Sequence, residues 1–153
     1  MRRFPAVLLG SALMLCLEGQ QAAPQYALWQ ADLQVRSLSV SIVKGNLTAR
    51  IAVATESGDA LGARVEILLP VGVGIVTLDT GCKPGPSTAG IREIRARVEC
   101  LLGNLPAQST RELTVVTTLP PTGVARGFGV IAMSDTPDPK PGNNFAERAI
   151  PPL

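Results

Sequence analysis

Four stretches of this chain alternate apolar and polar residues with a period of two, and that rhythm constrains the fold more than any other feature. In LTARIAVAT, residues 47–55, Leu47, Ala49, Ile51 and Val53 share one face against Thr48 and Arg50. In ARVEILLP, residues 63–70, Val65, Ile67 and Leu69 oppose Arg64, Glu66 and Leu68. In REIRARVEC, residues 92–100, Ile94, Ala96, Val98 and Cys100 alternate with Glu93, Arg95, Arg97 and Glu99. In RELTVVTTL, residues 111–119, Leu113, Val115, Thr117 and Leu119 alternate with Glu112, Thr114, Val116 and Thr118. Successive side chains of a strand point to opposite faces. Each stretch therefore predicts a strand with one side in a core and the other in water.

Turn residues punctuate these runs. Lys44-Gly45-Asn46, Ser57-Gly58-Asp59, Lys83-Pro84-Gly85-Pro86 and Pro120-Pro121-Thr122-Gly123 each predict a turn. Further strands are expected over residues 32–42, 74–79, 127–133 and 145–150. Seven or eight short strands fit a two-sheet antiparallel sandwich, an all-β fold, better than any α/β arrangement. The pattern does not fix the pairing order.

The N-terminus carries a different signal. Arg2 and Arg3 precede an apolar run of twelve residues, AVLLGSALMLCL, and Glu18, Gln20 and Gln21 end it. This is the form of a secretory signal peptide, too short to span a bilayer comfortably. The expected organisation is a signal over residues 1–23, a lead over 24–30, one domain over 31–150 and a tail over 151–153. Two other readings of the start compete. Cys16 offers a lipoprotein acylation site, and the run offers an uncleaved anchor. The expected location is the periplasm, the cell surface or the extracellular space, with no membrane span after signal removal.

Composition removes whole classes of chemistry. The chain of 153 residues contains no histidine, so Ser–His and Cys–His nucleophilic arrangements are excluded. The net charge of +2 gives no general pull toward nucleic acid. Aromatic residues make up 3%, too few for a stacking platform on bases or sugars. If Cys16 leaves with the signal, Cys82 and Cys100 remain, and an even count in an exported chain predicts a disulfide. No cofactor is implied.

The order of several short motifs resembles the bacterial extracellular "conserved repeat" domain, the domain-of-unknown-function eleven family. Ala31-Asp32-Leu33 resembles its opening strand, and residues 46–55 resemble its second. Leu69-Pro70-Val71-Gly72-Val73 resembles the family's LPAGV turn, and VECLLGNL, residues 98–105, resembles its VTCTLGTL stretch. SDTPDPKPGNN, residues 134–144, resembles the family's SDTPDPNPANN before a last strand. The chain departs by holding one module and by showing Glu56-Ser57-Gly58-Asp59 where the family has NNGP. It departs also in a long, arginine-bearing segment between Cys82 and Cys100. The resemblance implies an immunoglobulin-like β-sandwich, similar to adhesion-type modules, at or outside the cell envelope. It implies no catalytic residues.

Candidate sites follow from the residues themselves. Asp135 and Asp138 are candidate ligands for a hard cation, helped by Asn143 or Asn144. Pro137, Pro139 and Pro141 instead favour a stiff, extended connection that delivers the last strand. Arg95 and Arg97 share a strand face and form a candidate anion site; the competing reading is a solvated face with cross-strand ion pairs. Arg92 would project from the opposite face. Tyr26 and Trp29 offer a ligand or partner contact, or a pin for the N-terminal lead. Asn46-Leu47-Thr48 matches a glycosylation sequon, which has no use in a bacterium.

Two function classes remain. One is a non-catalytic module with a structural, adhesion or protein-binding role toward an envelope or extracellular protein. The other is a secreted enzyme inhibitor or a carboxylate-based hydrolase drawing on Asp135, Asp138, Glu66 or Glu99. No spacing in the sequence brings two of those acids together.

Overall fold

The computed structural model describes residues 30–89, 94–121 and 127–150. The signal segment, Cys16, Tyr26, Trp29, Arg92 and the tail lie outside these residues. Among the described residues nine strands occur in order: β1 (Leu33–Val43), β2 (Asn46–Thr55), β3 (Ala60–Leu68), β4 (Ile75–Leu78), β5 (Cys82–Ala89), β6 (Ile94–Leu105), β7 (Thr110–Thr117), β8 (Gly127–Met133) and β9 (Phe145–Ala149). One sheet has the order β1-β2-β7-β4 and the other β5-β6-β3-β8-β9. Every pairing is antiparallel.

The alternation read from the sequence sets the core. Leu47, Ile51 and Val53 on β2 are buried, as are Val65 and Ile67 on β3, Val98 on β6, and Leu113 and Val115 on β7. Phe128 and Val130 on β8 complete the layer between the sheets. The intervening Arg50, Arg64, Glu112 and Thr114 are exposed. Burying one face of each sheet against the other removes these apolar side chains from water, at about 25 cal/mol per Å².

The strand arrangement is immunoglobulin-like. The four-stranded sheet has the A-B-E-D order of such domains, and the five-stranded sheet has the extended C-F-G order. The route differs at one place. The strand in the D position, β4, is visited before β5 and β6. The disulfide differs too, since Cys82–Cys100 joins directly opposed residues of adjacent strands within one sheet.

One expected turn is corrected. Lys83-Pro84-Gly85-Pro86 lies inside β5, the ninth strand that periodicity did not reveal. Proline cannot donate to a ladder, so it is confined to edges and bulges. β5 is an edge strand with a register shift between Gly85 and Thr88, which gives both prolines an allowed place.

The β1–β2 connection is a two-residue turn. Lys44 and Gly45 both have positive φ, 50° and 77°, and Val43 faces Asn46 across it. This is the primed turn that matches the twist of a hairpin. Its register decides which main-chain groups of β1 face outward.

Candidate functional site

The sequence directs attention first to residues 134–144, which join β8 to β9. Their charged and hydroxyl groups are engaged within the chain, whereas the buried Asn143 Oδ1 and Asn144 Oδ1 have no partner among the described residues. Asp135 forms an ion pair with Arg64 at 2.9 Å. Asp138 accepts from the Leu33 N–H at 3.0 Å and from the Lys140 N–H at 2.7 Å. Thr136 accepts from the Leu61 N–H through Oγ1 and donates to the Asp59 carbonyl. The two aspartates therefore serve different elements, β3 and β1, and do not converge.

The centre of this clasp is a residue the sequence reading passed over. Asp32 is 2% exposed and accepts from Lys140 Nζ at 2.6 Å and from Asn143 Nδ2 at 2.8 Å. The Lys140 hydrogen bond, then the Asn143 bond, holds the Asp32 carboxyl below its ordinary value against the opposing effect of burial. The same bond raises Lys140 above its ordinary value. A lone aspartate between Ala31 and Leu33 at the start of a strand was the available signal, since a buried charge requires a partner.

Arg95 and Arg97 lie on the outer face of the five-stranded sheet. Arg97 pairs with Glu66 on β3 at 3.1 Å, with both side chains about three-quarters shielded. Arg95 donates to the Gly127 carbonyl on β8 at 2.8 Å. Both guanidinium groups thus brace neighbouring strands. The register brings two of the acids together. Glu66 stands directly opposite Glu99, a pairing no sequence spacing announced. The Arg97 ion pair and Lys83, opposite Glu99 on β5, surround these two carboxylates with positive charge.

The outer face of the other sheet carries an open hollow lined by Ser37, Ser39, Arg50, Glu112 and Thr114. Hydroxyls dominate it, and β1 forms its rim.

That rim is an open sheet edge. The two sheets have four edges: β1, β4, β5 and β9. β4 has four residues and a register shift between Ile75 and Thr77. β5 carries Lys83, Pro84 and Pro86. β9 has five residues, including Glu147 and Arg148, and packs beside β1. Short length, proline, charge and cover all discourage pairing with a foreign strand. β1 has eleven residues, and Ser37-Leu38-Ser39-Val40-Ser41-Ile42-Val43 contains no charge, proline or glycine.

β9 covers only the first part of β1. Asn143, just before β9, is bonded to Asp32, just before β1, so the two strands start level. At about 3.3 Å per residue β9 runs out well before β1 does. Exposure rises accordingly, from 0% at Leu33 to 40% at Ile42 and 48% at Val43.

The turn fixes the polarity of this edge. Val43 and Asn46 close the hairpin, so Ser41 and Ser39 also exchange bonds with β2. Leu38, Val40 and Ile42 then point their N–H and C=O groups outward. The same alternation sends the Thr114 N–H of β7 toward β4, where it meets Asp79 Oδ2 at 3.2 Å. Among the described residues no strand pairs with the outward side of β1.

No family model matches the chain, and no curated protein matches it. Several solved structures are similar. A protein of Nocardia farcinica described as immunoglobulin-like is 9% identical, over 81% of this chain and 99% of that one, with a TM-score of 0.43. The domain ChBD2 of Thermococcus kodakarensis KOD1 is 14% identical over 69% and 96%, with a TM-score of 0.36. A family 20 exo-β-N-acetylglucosaminidase of Vibrio harveyi is 13% identical over 79% of this chain but 17% of that enzyme, with a TM-score of 0.33. Likeness at this distance carries no chemistry across.

Proposed function

We propose that the chain is an exported, non-catalytic β-sandwich with a structural or protein-binding role at the bacterial cell envelope, working through the open edge of β1. The observation that carries this reading is the contrast among edges. Three are blunted by shortness, proline, charge or cover, and one is left long, with an open stretch from Ser37 to Val43 that carries no charge. An edge of this kind accepts an extended strand by main-chain pairing, with side chains supplying selectivity. Two further facts support it. Asp32, Asp135, Asp138 and Glu66 are each committed to partners inside the chain. The resemblance of residues 134–144 to an extracellular repeat domain agrees with an envelope setting.

The test uses immobilised protein and envelope extract, with Val40→Pro as the comparison. Val40 points its N–H outward, so proline there removes an edge donor and leaves the β2 ladder intact. A component retained by the native chain and lost by the variant is the expected result. Equal recovery by both would remove β1 as the working surface. Robust hydrolytic turnover on envelope polymers would remove the non-catalytic reading altogether.

A further inference from the structure

We propose that the open edge of β1 pairs with the same edge of a second copy of this chain, antiparallel about a twofold axis at Val40; the inference rests on the reading of β1 as a working edge. The order Ser-Leu-Ser-Val-Ser-Ile-Val from Ser37 to Val43 is nearly palindromic in character about Val40. Antiparallel pairing there sets Val40 opposite Val40 of the other copy, Leu38 opposite Ile42, and Ser39 opposite Ser41. Aliphatic side chains meet aliphatic ones on the inner face. On the outer face the exposed Ser39 and Ser41 hydroxyls meet each other, and Ser37 falls opposite Val43. A foreign strand would need only extended main chain, whereas this symmetry serves only a partner with the same sequence.

The hydrogen-bond phase agrees with that register. Leu38, Val40 and Ile42 carry the outward N–H and C=O groups. The axis at Val40 makes each of them face another such residue, giving about six main-chain bonds. The product is one continuous sheet of the order β4-β7-β2-β1 followed by its reverse. Because each copy uses the same edge, the assembly closes as a dimer instead of growing into a fibre.

Two features limit its strength. Seven residues span about 23 Å of edge, which is small beside standard interfaces, so a dissociation constant of roughly micromolar or weaker is expected. Arg36 and Lys44 of opposite copies fall at the two ends as like charges. Both are exposed, so added salt should screen them and tighten the dimer.

Sedimentation velocity on the purified protein, over about 1 to 500 µM, reads the association. A shift from one chain to two, stronger at high salt, is expected. The double variant Ser39→Glu/Ser41→Glu puts glutamates opposite each other across the axis. Within the chain, position 39 faces Arg50, so the variant keeps its own β1–β2 pairing. Its dimerisation should weaken at least about tenfold. A second measurement mixes Ser39→Cys protein with Ser41→Cys protein under mild oxidation. A mixed disulfide should exceed either homodisulfide. A monomer at every concentration, a dimer indifferent to the glutamates, or a preference for homodisulfides would each overturn the proposal. A chain that stays monomeric yet loses an envelope component in Val40→Pro form would refute the second copy as occupant and leave the edge reading standing.

Discussion

At the scale of single residues, the most consequential group is Asp32. It is buried, charged and satisfied by two side chains that arrive from more than a hundred residues later. Breaking such a buried arrangement strands a charge, which is why each partner matters. The pH dependence follows from the directions of the two shifts. Asp32 is held below its ordinary 3.8, so its contribution is complete above that value and is lost as pH falls beneath it. Lys140 is raised above its ordinary 10.5, so its contribution holds below that value and is lost as pH rises through the raised one. Stability from this contact should therefore be level between about pH 4 and pH 10 and decline at both ends. Lys140→Met removes the largest influence on Asp32. Thermal melts across pH should show a lower plateau and a shallower acid decline for that variant. An unchanged acid limb would mean that another carboxylate governs acid unfolding.

At the scale of elements, the disulfide and the prolines of β5 belong together. Pro84 and Pro86 leave the open side of the strand and its bulge without donors, and the Cys82–Cys100 bond fastens it to β6 at a directly opposed pair. On the chain-entropy account a loop of this length stabilises the fold by about 3 kcal/mol. Both cysteines should resist alkylation until reduced. After reduction, hydrogen exchange should rise first in β5, and only later in β6 and β3, because β5 is an edge strand held to the sheet on one side only. Simultaneous exposure of all three strands would show that the bond supports the sheet as a whole. The same element marks where sequence reading stopped. Four strands were legible because their faces differ in polarity, and Leu47, Ile51, Val65, Val98 and Leu113 all sit where alternation put them; four more were expected in the runs between turn signals. β5 was not, since a Lys-Pro-Gly-Pro run is also what a turn looks like, and only its position at a sheet edge separates the two. The clasp was half legible. Its stiff loop could be read from three prolines. Its partners on Asp32, Leu33, Leu61 and Arg64 depend on tertiary placement that no local pattern encodes. The pairing of Glu66 with Glu99 is register, which turn chemistry and packing set together.

At the scale of the whole molecule, the two sheets meet through small aliphatic side chains and a single large one. Among the described residues, valine, isoleucine, leucine and alanine make up most of the fully buried set, and Phe128 is its one aromatic. Phe128 stands on β8 between Gly127 and Gly129 and is 0% exposed. Such a core is dense but has little redundancy, because no second ring can move into the space. Phe128→Ala should therefore cost about 3–5 kcal/mol, combining lost transfer energy with a cavity the rigid sheets cannot close. That is a large share of the about 5–15 kcal/mol typical of whole domains. Phe128→Leu keeps most of the volume and should cost much less. Urea unfolding distinguishes the cases. The midpoint should fall steeply for alanine and slightly for leucine, with the slope unchanged, since the surface exposed on unfolding stays nearly the same. A changed slope in the alanine variant would mean that the sheets separate before the chain unfolds. The edge strand β1 would then be anchored by β2 alone, with no support from the layer beneath it.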